Sequence, residues 1–162
     1  MGKLLVSPFI IQKTNNLIRR DVARVSVPLF DRSSSPIQFI EDSKTLTKDI
    51  VAWSKNQSKR SYEIIVEPIV ENVVNIQYYS YLANKTRLSS EENYDKRTKY
   101  FDLALENVKD FHRRLTVNYQ SSINKISDNQ YQKWIGLSVN IGKQIKNIKK
   151  SDKKRMKDQD IL

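Results

Sequence analysis

Apolar residues recur at intervals of three and four along most of the chain after residue 36. The last such segment opens at Ser127, and its apolar and small side chains fall on one stripe while its lysines fall elsewhere. This spacing matches the period of an α-helix and predicts an amphipathic helix whose stripe packs against partner helices. The stripe comprises Tyr131, Trp134, Ser138, Ile141, Ile145 and Ile148.

Three earlier segments carry the same helical period. The first begins at Pro36 and closes at Asn56-Gln57-Ser58, the second covers residues 61–85, and the third covers residues 91–119. Short loops separate the four segments. The sequence therefore predicts an all-α fold, an up-down-up-down four-helix bundle over residues 36–150.

Local signals refine two of these helices. Pro68 lies inside the second segment, so that helix is either kinked near Ile64 or begins afresh at Glu67 with proline in its first turn. Ser127 and Gln130 have the spacing of a capping box, which predicts the start of the fourth helix. The loop 88–92 is serine-rich and predicts a cap for the third helix.

The two flanks of the bundle are expected to differ from it. Residues 1–35 have no clear period and are expected to form an extended or partly ordered arm. Residues 151–162 are expected to form a basic, flexible tail. We therefore divide the chain into an N-terminal arm, the bundle at 36–150 and this tail.

Charge narrows the class of partner. The chain carries 29 Lys and Arg against 18 Asp and Glu, a net charge of +11. The excess lies in residues 1–60 and 121–162, while residues 61–120 are close to neutral. Such asymmetry favours polyanions such as RNA or DNA, although solvated surface charge produces the same count. The candidate phosphate contacts are Lys143, Lys146, Lys149, Lys150, Lys153, Lys154 and Arg155, followed by Arg113 and Arg114.

The composition offers little for catalysis. Cysteine is absent, histidine occurs once at His112, and the three glycines do not form a phosphate-binding loop. We expect a non-enzymatic protein without metal or cofactor. No run of about 18 apolar residues exists, and no secretory signal is evident, so a soluble cytoplasmic protein without a membrane partner is expected.

Two stretches are similar to a known family. They are residues 100–109 (YFDLALENVK) and Ile126 to Tyr131 (ISDNQY), followed by residues 141–145 (IGKQI) and Lys150-Ser151. Over roughly its last 70 residues the chain resembles the basic four-helix-bundle accessory variability proteins of diversity-generating retroelements and the related bundles encoded in ribosomal RNA intervening sequences. The resemblance implies a non-catalytic, barrel-like pentamer whose positive surface binds nucleic acid and a reverse transcriptase.

Other interpretations of the same residues stay open. The chain could be a structural or adaptor subunit that docks onto a larger assembly through its amphipathic helices and N-terminal arm. Tyr78, Tyr79 and Tyr81 could stack on bases, although packing is the commoner role of tyrosine at the end of a bundle. A basic amphipathic fourth helix on a membrane surface is a more distant alternative.

Overall fold

The computed structural model describes residues 37–159, and this part of the chain is helical and contains no strand. A short helix, α2, runs through a π-helical segment into α3, so the described residues form four helical stretches, as the sequence predicts. The expected arm at residues 1–35 and the last three residues lie outside the described part. The elements are α1 (Gln38–Ser54), α2 (Lys59–Ser61), the π-helical segment (Tyr62–Val66), α3 (Glu67–Lys85), α4 (Glu91–Ser121) and α5 (Asp128–Gln159).

One hydrophobic core joins the long helices. Phe39 of α1 meets Phe101 of α4 with ring centroids 5.9 Å apart, and Trp53 of α1 meets Trp134 of α5 edge to face at 5.7 Å. The predicted stripe of α5 faces this core. Its members Trp134, Ser138, Ile141 and Ile145 are buried, while Tyr131 and Ile148 are partly buried.

Each long helix packs against two others. Both α3 and α5 pack against α1 and against α4. Polar side chains bridge these interfaces: Asn72 of α3 donates to Asn107 of α4, and Gln144 of α5 donates to Asp42 of α1. Because α3 and α5 share the same two neighbours, they lie across the core from each other.

Pro68 is accommodated by a wider helical turn. A proline cannot donate a backbone hydrogen bond, and its ring clashes with the carbonyl four residues earlier. Just before it, the Glu67 amide donates to the Tyr62 carbonyl five residues back, which is the π-helical pattern. The α-helix then starts at Glu67 with proline in its first turn. Proline thus lies in the first turn of α3, as the second alternative predicts, but the helix does not begin afresh there, because the helical path is continuous from Lys59.

The predicted caps are present. The Gln130 amide donates to Ser127 Oγ at 3.2 Å, and the Ser127 amide donates to Gln130 Oε1 at 3.0 Å, which confirms the capping box. Ser90 caps α4 by accepting from the Asn93 amide. These bonds fix where the two longest helices begin.

The boundary expected at residue 150 falls within α5, because this helix continues through Gln159. Asp152 is buried, although it belongs to the segment expected to form the tail. The basic residues that follow it therefore project from a helix that is anchored to the core.

Candidate functional site

The outer face of α5 carries a row of six exposed lysines, which we call the lysine stripe. Successive members are separated by one to four residues, and at 100° per residue all six fall within a sector of about 100°. This sector lies opposite the side of α5 that buries Ile141 and Ile145. The lysine stripe consists of Lys143, Lys146, Lys150, Lys153, Lys154 and Lys157.

The charges of the lysine stripe are not neutralised within the described residues. None of its six ammonium groups forms an ion pair with another residue between 37 and 159. Of the nearby acidic residues of α5, Asp152 is buried and Asp158 lies on the flank of the stripe. From Lys143 to Lys157 the row extends about 21 Å at the rise of an α-helix.

The flanks of α5 are fixed by polar contacts with its neighbours. Lys149 pairs with Asp102 of α4, and Lys133 pairs with Asp49 of α1 at 2.6 Å. Further along the helix, Asp152 accepts from Arg97 of α4. These contacts hold the flanks of α5 against α4 and α1, while its buried stripe faces the core and the lysine stripe faces solvent.

The nine residues predicted from the sequence to contact phosphates lie in different places on the structure. Five of the nine predicted residues come together on the lysine stripe. Lys149 is instead engaged with Asp102, and Arg155 is exposed on another side of the helix, since it follows Lys153 by only two residues. The five that come together are Lys143, Lys146, Lys150, Lys153 and Lys154.

The two predicted arginines lie on α4 and are engaged within the protein. Arg113 is exposed and pairs with Asp110 at 3.3 Å. Arg114 is partly buried and donates to the Pro68 carbonyl at 3.1 Å and to Asn72 Oδ1 at 2.8 Å. Part of the Arg114 guanidinium thus holds α3 against α4.

Both arginines also line a groove of about 410 Å³ between the π-helical segment and the end of α4, which we call the α4 groove. Its apolar rim consists of Ile64, Val117 and Ile123, each more than half exposed. Asn118 lies on its lining, and its buried Nδ2 has no hydrogen-bond partner among residues 37–159. The groove thus combines apolar side chains with hydrogen-bond donors.

Lys157 was missed by the sequence reasoning. It lies seven residues after Lys150, and the spacings 143, 146, 150, 153 and 157 alternate between three and four. That periodicity could have identified it, because it is the same signal that identified the buried stripe.

The tyrosines considered for base stacking lie on α3. Tyr78 and Tyr81 are about half exposed, whereas Tyr79 is partly buried and stacks on Tyr100 of α4. Tyr78 and Tyr81 border a groove with Ile40 and Lys44 of α1. This groove is on a different part of the surface from the lysine stripe, because α3 lies across the core from α5.

His112 lies at the interface of α4 and α5. Its Nε2 is 2.5 Å from Ser138 Oγ, and the Ser138 hydroxyl donates to the Ile135 carbonyl. Because that hydroxyl hydrogen is committed, the ring N–H at Nε2 is the donor to Ser138. Partial burial lowers the pKa of His112 below its ordinary value.

Residues 37–159 contain no cluster of three or more histidine and carboxylate side chains arranged to hold a metal ion. Over the same residues, no helix is both long enough and apolar enough to cross a bilayer. Comparison with known proteins finds no matching protein family, no similar curated protein and no similar solved structure.

Proposed function

We propose that this chain is a non-enzymatic nucleic-acid-binding protein whose lysine stripe contacts phosphates. The observation that carries the proposal is the alignment along one face of α5 of six exposed lysines that form no ion pair within residues 37–159. Acidic side chains three or four residues away on the same helix face stabilise lysines, whereas like charges at this spacing destabilise the helix. Here the face is of a single sign over about four turns.

Binding would follow from release of the counterions condensed on the nucleic acid. Each phosphate that a lysine neutralises releases a counterion, so the affinity falls as the salt concentration rises. Lysine ammonium groups act as point charges, and their contacts with phosphates carry no sequence information. The binding should therefore be independent of sequence.

The test is a pair of triple variants with equal charge change. One replaces Lys146, Lys150 and Lys153 by glutamine, and a matched control replaces the exposed residues Lys48, Lys55 and Lys59. Binding of a labelled oligonucleotide is measured by anisotropy as salt is raised. The stripe variant should lose roughly one unit of the log–log salt slope per lysine, and the control should lose little. Equal losses, or binding that ignores salt, would refute the phosphate mechanism.

The wider proposal concerns architecture and partners. We propose an up-down-up-down order, which is supported for α4 and α5 by contacts that step in opposite directions along the two helices: Tyr119 meets Asp128, while Arg97 meets Asp152. By its resemblance to retroelement accessory proteins, we further propose a cytoplasmic homo-oligomer, a pentamer, that serves a reverse transcriptase. Light scattering of the purified protein tests the number of subunits.

The α4 groove favours a second candidate function, that of an adaptor. An apolar groove bordered by the exposed side chain of Arg113 is complementary to an amphipathic helix that carries carboxylates. We propose such an acidic helix of a partner protein as its occupant. Peptides are selected by display against the glutamine variant of Lys146, Lys150 and Lys153, so that the lysine stripe captures fewer acidic peptides. The selected peptides should be apolar and acidic, and their binding should be lost when Val117 of the protein is replaced by serine. Selection of basic peptides, or binding that survives this replacement, would refute the adaptor function.

A further inference from the structure

We infer that the lysine stripe takes the backbone of double-stranded nucleic acid in preference to a single strand. This inference rests on the proposed function, since it names the substrate class of the same site. Three features support it: the lysine stripe contains no aromatic side chain, the exposed aromatic side chains of residues 37–159 lie on α3, and α5 is anchored to α4 by two ion pairs.

The lysine stripe has no side chain that can stack on a base. Residues 143–159 contain no Phe, Tyr, Trp or His. Proteins that bind single strands combine a basic groove with aromatic platforms, and each stacked base contributes about 1–3 kcal/mol. The lysine stripe lacks this contribution, so its affinity depends on phosphates alone.

The exposed aromatic side chains of residues 37–159 cannot supply the missing platform. They are Tyr78 and Tyr81, and both belong to α3. Because α3 lies across the core from α5, a strand lying along the lysine stripe would not reach these two rings. The bases of a single strand would remain unrecognised, while a duplex keeps its bases stacked within itself.

The shape and charge of α5 also match a duplex. A binder that relies on phosphates gains most from the form with the highest phosphate density, and duplex DNA carries one charge per roughly 1.7 Å of axis. The lysine stripe is a row of about 21 Å on a helix anchored at Lys149 and Asp152. A duplex is already rigid, whereas a flexible strand must lose conformational entropy to follow such a row.

The experiment compares a short RNA duplex, a DNA duplex of the same sequence, and the component single strands of each. Affinity is measured by anisotropy over a series of salt concentrations with the full chain. Both duplexes should bind roughly tenfold more tightly than the strands, with a salt slope of about −0.9 per phosphate neutralised against about −0.7 for the strands. Replacing both Tyr78 and Tyr81 by alanine should change neither the affinity for duplexes nor the affinity for single strands.

The outcomes separate the inference from the proposed function. If no form binds at low salt, the proposed function itself fails. If single strands bind as tightly as duplexes or more tightly, the chain still binds nucleic acid but the duplex preference is wrong. A loss of single-strand affinity in the Tyr78 and Tyr81 variant would also overturn the inference, since it would show that these tyrosines stack on bases.

Discussion

Arg97 of α4 and Asp152 of α5 form an ion pair that is almost entirely removed from solvent. The Arg97 Nε lies 2.7 Å from Asp152 Oδ2, and the two side chains are 14% and 4% exposed. The same guanidinium donates to the carbonyls of Ala83 and Thr86, and it lies over the Phe101 ring. One arginine thus joins the end of α3, the following loop and the basic end of α5.

Replacing Asp152 by alanine should destabilise the fold by about 3 kcal/mol, because it leaves the Arg97 charge buried without its partner. Urea denaturation measures the loss. Asp102→Ala is the matched control, since Asp102 also pairs with a residue of the opposite helix but is 57% exposed. Its loss should stay below about 1 kcal/mol. Similar losses for both variants would mean that burial does not determine the strength of the Arg97 pair.

Stability should depend on the protonation of His112. Its pKa is lowered in the folded state by burial, so the unfolded chain binds the proton first as the pH falls. The contribution of His112 is therefore complete above the ordinary pKa of 6.5 and is lost as the pH falls towards the folded pKa. Denaturation across this range should show that the free energy of unfolding falls more with decreasing pH for the protein than for His112→Gln. Equal pH dependence of the two would contradict the lowered pKa of His112.

Two glycines of α5 should be replaceable by alanine with a gain in stability. Neither has a positive φ, and alanine is favoured over glycine within a helix by about 0.5–1 kcal/mol. A Cβ at Gly136 meets nothing within 4 Å, and one at Gly142 lies 3.8 Å from Val108 Cγ1, an ordinary contact. Thermal denaturation should show a higher Tm for each variant. A lower Tm for Gly142→Ala would indicate that α4 and α5 lie too close together at Gly142 to accommodate a methyl group.

The capping box of α5 should contribute measurably to stability. Ser127→Ala removes the acceptor for the Gln130 amide and should cost about 1 kcal/mol. Ser151→Ala is a suitable control, because Ser151 is exposed within the same helix and alanine has the higher helix propensity there. Urea midpoints that fall equally for both variants would contradict a specific role for the cap.

Position on the helix, rather than charge alone, should determine which residues bind phosphate. Lys157→Gln should weaken nucleic-acid binding as much as Lys150→Gln, because both belong to the lysine stripe. Arg155→Gln removes the same charge from another side of α5 and should have a smaller effect. Salt titrations of the three variants with one duplex provide the comparison, and a larger effect at Arg155 would argue against the stripe as the contact surface.

The helices of this protein follow from short-range information. The three-and-four spacing of apolar residues, the Ser127 and Gln130 cap and the position of Pro68 act within a few residues, so the sequence alone predicted four helical stretches and the start of α5. The sequence also indicated five members of the lysine stripe as candidate phosphate contacts, but it did not separate them from the other basic residues.

Only the tertiary structure decided which basic side chains remain available to contact phosphates. Lysine and arginine side chains look alike in a sequence, but ion pairing depends on residues brought together from distant parts of the chain. Lys149 meets Asp102 and Arg114 meets Asn72 across helix interfaces, which removes them from the set of free cations. Asp152 is buried because Arg97 of α4, which is distant in sequence, lies opposite it and forms an ion pair with it. The packing of α5 through its buried side chains, with Lys149 and Asp152 held by α4, leaves the remaining lysines on a single cationic face.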